Sequence, residues 1–224
     1  CAGTRTPRNG ARTCDERNRS HVGLSASHDR PPRDTPLLYS RRMRLIPPTT
    51  RLHRSYLGGV DEFAGARRDG DGLWQWVEDG VTHEITREEM ESEDGFARFV
   101  ARRTDPDRDL LPGWVPCTFF WMEQDGEYAG SLALRHELNE FLAAEGGHIG
   151  YSVRPSARRR GHATEALRQS LPHARALGLD RVLVTCDETN IASARTIEAN
   201  GGVLAKTVEA ASDGRLVRHY WIAL

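Results

Sequence analysis

Hydrophobic and polar positions fall into a readable order only from Met43 onward. Met43 to Pro47 has the short apolar run of a strand. Thr49-Thr50 is placed to cap a helix reaching about Ala66, with Leu52, Tyr56, Leu57, Val60 and Phe63 at helical spacing. Arg67 to Gly72 reads as a loop. Glu88 to Arg102 reads as a second helix with Met90, Phe96, Phe99 and Val100 on its apolar side, and Thr104 to Pro116 as a turn-rich connector. Cys117 to Glu123 and Tyr128 to His136 are apolar, aromatic runs around Asp125-Gly126, a hairpin signal. Beyond the Asn139 to Gly147 segment, His148 to Val153 reads as a strand and Gly161 to Leu177 as a helix, with Gly178 just past its end. Pro172 lies inside that helix and is expected to kink it or remove one hydrogen bond. Arg181 to Cys186 is a buried strand and Ala192 to Ala199 a short helix. Val203 to Val208 and Leu216 to Ala223 form a closing hairpin around Ser212-Asp213-Gly214.

Residues 1–42 lack such periodicity and are rich in Arg, Ser, Asp, Pro and Gly. Such a segment cannot bury enough surface to offset its ordering entropy, so it is expected to be a disordered extension. Met43 is the first methionine, and a start annotated too far upstream is the expected origin of the extension. A basic arm or transit peptide is the competing account. The domain itself is expected to span residues 43–224.

Composition narrows the class. Hydrophobic residues make up 38% of the chain and charged residues 28%, the profile of a globular protein, and no apolar run approaches a membrane span. The formal net charge is −1, but residues 1–42 carry nine Arg against four acids, which leaves the remainder mildly acidic. That argues against a nucleic-acid surface and suits an amine-bearing partner. Lys206 is the only lysine, so the many arginines reflect a coding bias more than phosphate contacts. Cys1, Cys14, Cys117 and Cys186 form no CxxC pair, and the His residues show no metal-ligand spacing. Neither a disulfide framework nor a metal site is expected, and the cytoplasm is the expected compartment.

The segment that carries chemistry is Gly150-Tyr-Ser-Val-Arg-Pro-Ser-Ala-Arg-Arg-Arg-Gly-His-Ala-Thr-Glu165. A strand ends, a Pro-containing turn follows, and a basic loop opens a helix. First-turn N–H groups lack partners and the helix dipole favours negative charge there. Gly161 and Ala163 let a diphosphate approach the main chain, Thr164 adds a hydroxyl, and Arg158, Arg159 and Arg160 add positive charge. An ordinary strand-to-helix connection with solvated arginines is the alternative.

Arg158-Arg159-Arg160-Gly161-His162-Ala163 resembles motif A of the GNAT superfamily of N-acetyltransferases, (Gln/Arg)-x-x-Gly-x-(Gly/Ala). Downstream, Asn190-Ile-Ala-Ser193 and Glu198-Ala-Asn200-Gly201 resemble the family's Asn-x-x-Ser helix and Glu-x-x-Gly turn. The resemblance covers about Met43 to Leu224. It implies an α/β (α+β) GNAT fold: a mixed, mainly antiparallel sheet with helices on both faces. It further implies acetyl-CoA as co-substrate, with Arg158 to Thr164 on its pyrophosphate. Tyr151 and Val153 would contact it through their main chain, and Asn190 and Ser193 at the pantetheine end. The strands ending at Val153 and Cys186 would splay to admit it.

Attack of an amine on the thioester needs positioning, oxyanion stabilisation and loss of the ammonium proton. His148 and Glu145 are the candidate bases, with a structural histidine and a solvated loop charge as their respective alternatives; Glu137 competes. Where many members carry a tyrosine as general acid, this chain has Ile197. The expected activity is acetyl transfer to a primary amine of a small molecule. A protein N-terminal acetyltransferase and a CoA-binding regulatory module without turnover are the alternatives, and the sequence leaves monomer and homodimer both open.

Overall fold

The computed structural model describes residues 42–224; the expectation for the extension lies, save Arg42, outside the described residues. In chain order the elements are β1 (Arg44–Ile46), α1 (His53–Glu62), β2 (Gln75–Glu78), β3 (Val81–Glu84), α2 (Glu93–Thr104), β4 (Cys117–Gln124) and β5 (Glu127–Arg135). They continue as β6 (Ile149–Val153), α3 (His162–Ala176), β7 (Arg181–Asp187), α4 (Ile191–Glu198), β8 (Val203–Glu209) and β9 (Leu216–Ala223). One sheet has the order β1-β4-β5-β6, a second β7-β9-β8, and β2 and β3 pair as a hairpin. Every ladder among the described residues is antiparallel.

Helices cover both faces of the first sheet, and strand alternation explains how. Phe120, Met122, Leu132, Leu134 and Ile149 point to one side, where they pack with Ala166, Leu167 and Ala174 of α3 and Ala194 and Ile197 of α4. Trp121 and Tyr128 point to the other, against Tyr56 and Leu57 of α1 and Phe96, Phe99 and Val100 of α2. Tyr56 is central there, with Trp121 stacked at 4.7 Å and Tyr128 edge-on at 5.1 Å.

The structure departs from the expected elements at two places. The stretch 73–87 holds the β2–β3 hairpin, turned by Asp79 and Gly80 at φ 51° and 75°, with Trp76 stacked on His83 across the strands. The second helix does not begin at Glu88: a tight turn at Glu89–Glu91 precedes it, and Ser92, in extended conformation, accepts a hydrogen bond from Gly95 N–H and starts α2 afresh. Pro172 lies inside α3, as expected, and having no N–H it leaves the helix one hydrogen bond short. α3 clamps the outer strand, because Gln169 accepts from Leu45 N–H at 2.8 Å and donates to Met43 O at 3.0 Å.

Candidate active site

The strand β6 ends at Val153, and Pro155–Ala157 forms a single tight turn. Arg159 and Gly161 then adopt left-handed φ values of 64° and 81°, and α3 begins at His162. No side chain caps that helix, so the N–H groups of its first turn have no intrahelical acceptor. A side chain added at Gly161 would meet no protein atom within 4 Å. The entrance is therefore open space faced by unpaired N–H groups, the positive end of a 15-residue helix, and the exposed Arg158, Arg159 and Arg160. Thr164 and Ala163 are half-buried. His162 is buried, with Nε2 lacking a hydrogen-bond partner, and burial together with Arg160 lowers its pKa. Asn200, after α4, donates to Thr164 O at 3.2 Å and ties the second motif to the first.

β6 and β7 form a fork. They meet where His148 N–H donates to Leu183 O at 2.7 Å and the Leu183 N–H donates to His148 Nδ1 at 2.9 Å. Beyond that point no ladder joins them. Arg135 N–H donates to His148 O and Arg154 N–H to Ala129 O, so alternation turns the backbone groups of Tyr151 and Val153 away from β5 and toward the gap. Val153 O there accepts from Arg158 Nε. Gly147 permits the close approach at the apex: its φ is 64°, and a side chain would sit 2.7 Å from Leu183 O.

The Tyr151 ring packs on the α3/α4 side, and its hydroxyl lies 2.8 Å from Ser193 Oγ. Burial pushes its pKa up to about 12. Asn190 caps α4 by accepting from Ser193 N–H at 3.0 Å. The structure thus brings Tyr151, Asn190 and Ser193 together at the fork, while Ile197 is fully buried in the core.

His148 and Glu145 are not placed as free proton acceptors. His148 Nδ1 is taken by the Leu183 N–H, so the neutral ring carries its proton on Nε2. Burial, with Arg135 nearby, lowers its pKa to about 4. Glu145 lies buried in a short π-helical turn, Leu142–Gly146, and accepts from Ser212 N–H, from Ser212 Oγ at 2.6 Å and from Arg215 at 3.3 Å. His148 ties the start of β6 to β7, and Glu145 ties the π-helical turn to the loop between β8 and β9.

The family model described as an acetyltransferase (GNAT) domain matches residues 58–203. No curated protein matches the chain. Among solved structures, the chain is similar to the ribosomal L7/L12 alpha-N-protein acetyltransferase RimL in complex with coenzyme A, at 17% identity and TM-score 0.53, over 81% of this chain and 94% of that one. A putative GNAT-family acetyltransferase from Bordetella pertussis is similar at 21% identity and TM-score 0.51, over 81% and 96%. The microcin C7 self-immunity acetyltransferase MccE, in complex with acetyl-CoA and AMP, is similar at 11% identity and TM-score 0.52, over 81% and 92%.

Proposed function

The chain belongs to the GNAT acetyltransferase family, and from that premise we propose that it transfers the acetyl group of acetyl-CoA to a primary amine of a small molecule. The observation that carries the reading is the uncapped entrance of α3 at Gly161, set at the open end of the β6–β7 fork. In this reading the first-turn N–H groups of His162, Ala163 and Thr164 hold the pyrophosphate, and Arg158, Arg159 and Arg160 supply counter-charge. The free backbone edge of β6 at Tyr151 and Val153 aligns the pantetheine arm, and Asn190 and Ser193 border its far end.

Acetyl-CoA supplies the thioester; the chain supplies position and hydrogen bonds. The Tyr151–Ser193 hydroxyl pair stands in for the phenol that Ile197 lacks. Burial holds the phenol well above a free thiol, near 8.5, so full proton transfer to a thiolate is uphill. The pair therefore stabilises the leaving thiolate as a hydrogen-bond donor and does not protonate it. Since His148 Nδ1 and the Glu145 carboxylate are both engaged, the ammonium loses its proton to water before attack. Positioning does the rest.

Calorimetric titration with coenzyme A tests the cofactor half of this reading. Binding with a Kd in the range of about 1 μM to 1 mM is expected; no binding at millimolar concentration contradicts it.

A further inference from the structure

The outer edge of the first sheet, where β1 no longer covers β4, carries a second feature. At the N-terminal end of β4, the connector 104–116 roofs a cavity of about 520 Å³ lined by Arg103, Arg108, Cys117, Phe119 and His136. That volume is in the range of small-ligand sites. Both guanidinium groups lie over the Phe119 ring, at 4.4 and 5.3 Å from its centre. Arg103 donates to Leu73 O, and Arg108 to Asp105 O and Cys117 O. Arg135, opposite Cys117 in the β4–β5 register, donates to Gly146 O and Gly147 O.

Among the described residues, none of these three arginines has a carboxylate within ion-pair distance. Asp107, on the cavity lining, is exposed, and Asp71, the nearest acid acting on Arg103, is paired with Arg68. The chain is mildly acidic beyond residue 42, yet among the described residues the guanidinium groups of this corner have no direct carboxylate partner. Carbonyl partners orient a guanidinium without neutralising it.

Cys117, Arg135 and His148 occupy one row across β4, β5 and β6, since Cys117 pairs with Arg135 and Arg135 N–H donates to His148 O. Two strand spacings, about 10 Å, separate Cys117, on the cavity wall, from the apex of the fork. We propose that this cavity binds an oxyanion of the acceptor, carboxylate or phosphate, so that the acceptor is an elongated amine bearing an anionic group at least about 10 Å from its nitrogen. The acceptor class rests on the acetyl-transfer reading; the anion site does not.

The test therefore begins with binding alone. Phenylacetate, phenyl phosphate and neutral benzyl alcohol are titrated by calorimetry into the wild-type full chain, Arg108→Gln and Arg108→Lys. At least one anion should bind wild type tenfold or more tightly than benzyl alcohol, the two anions together showing which oxyanion is preferred. Arg108→Gln should lose that preference and Arg108→Lys retain part of it. Equal affinities for wild type and Arg108→Gln, or no binding of either anion to wild type, overturn the anion site. Amines with and without a carboxylate or phosphate are then compared as acceptors. Arg108→Gln should raise KM at least tenfold for the anionic acceptor and leave the neutral one unchanged; an equal loss for both overturns the acceptor assignment. Absence of turnover with every amine counts against acetyl transfer while leaving the binding result standing.

Discussion

Gly161 holds a φ of 81° directly before the first turn of α3, and a side chain there would enter the space in front of its N–H groups. Gly161→Val combines two effects, since a β-branched residue in that conformation costs about 1–3 kcal/mol. Asn tolerates the left-handed region, so Gly161→Asn separates them. It should fold with nearly the wild-type Tm and bind coenzyme A at least about tenfold more weakly, a loss of about 1.4 kcal/mol. Unchanged affinity in calorimetry would remove the loop from cofactor binding. His148 makes a prediction of a different kind. Burial lowers its pKa from 6.5 to about 4, so the unfolded chain binds its proton more readily. Its contribution to stability is complete above about pH 6.5 and is lost as pH falls toward 4. His148→Asn keeps an acceptor for the Leu183 N–H and removes the titration, so its Tm should fall less steeply over that window. The same substitution should leave the acidic limb of kcat/KM in place, while amines of lower pKa should move the limb downward. A limb that disappears in His148→Asn would return the base role to this residue.

At the scale of elements, Glu145 links the π-helical turn before β6 to the loop between β8 and β9. Glu145→Ala leaves the Ser212 and Arg215 donors without their acceptor, at a cost of about 1–3 kcal/mol. Amides of residues 210–215 should then exchange at least about tenfold faster, with little change in β4 and β5. Uniform exchange across the protein, or a displaced acidic limb in Glu145→Gln, would instead give the carboxylate another role. Much of this architecture was legible in the chain. Alternation placed β4 and β5 on either side of Asp125-Gly126, and the Gly161 and Asn190 motifs marked the starts of α3 and α4. What escaped had short or distributed signals. The strands β2 and β3 are four residues each and half polar, so Asp79-Gly80 stood without the alternation that usually confirms a turn. Ser92 divides a periodic stretch that reads as one helix. The Gln169 clamp on β1 spans more than 120 positions, beyond any local pattern. The partners of His148 and Glu145 come from β7 and the β8–β9 loop, too far along the chain for a local pattern to show them.

The whole molecule places its chemistry between two packed layers. Among the described residues, both clusters that sandwich the first sheet draw on 43–224, beginning with the buried Met43 side chain. A protein of residues 43–224 should therefore keep its Tm within about 2 °C, a change of less than about 1 kcal/mol for a domain of this size, and keep its coenzyme A affinity. A larger loss in either would assign residues 1–42 a place in the fold. No helix among the described residues is long and apolar enough to cross a membrane. The fork of β6 and β7 opens toward α3, and the arginine-lined cavity lies at the outer edge of β4, an arrangement that suits two substrates approaching from different sides. Acetyl-CoA incubated with the protein and a panel of amines tests this most directly, with free thiol and acetylated product measured together. Thiol should appear only with a competent amine, in equal amount to the N-acetyl product, and should depend on Gly161. Thiol release that is independent of amine, or coenzyme A binding with no product from any amine, would contradict acetyl transfer at this site.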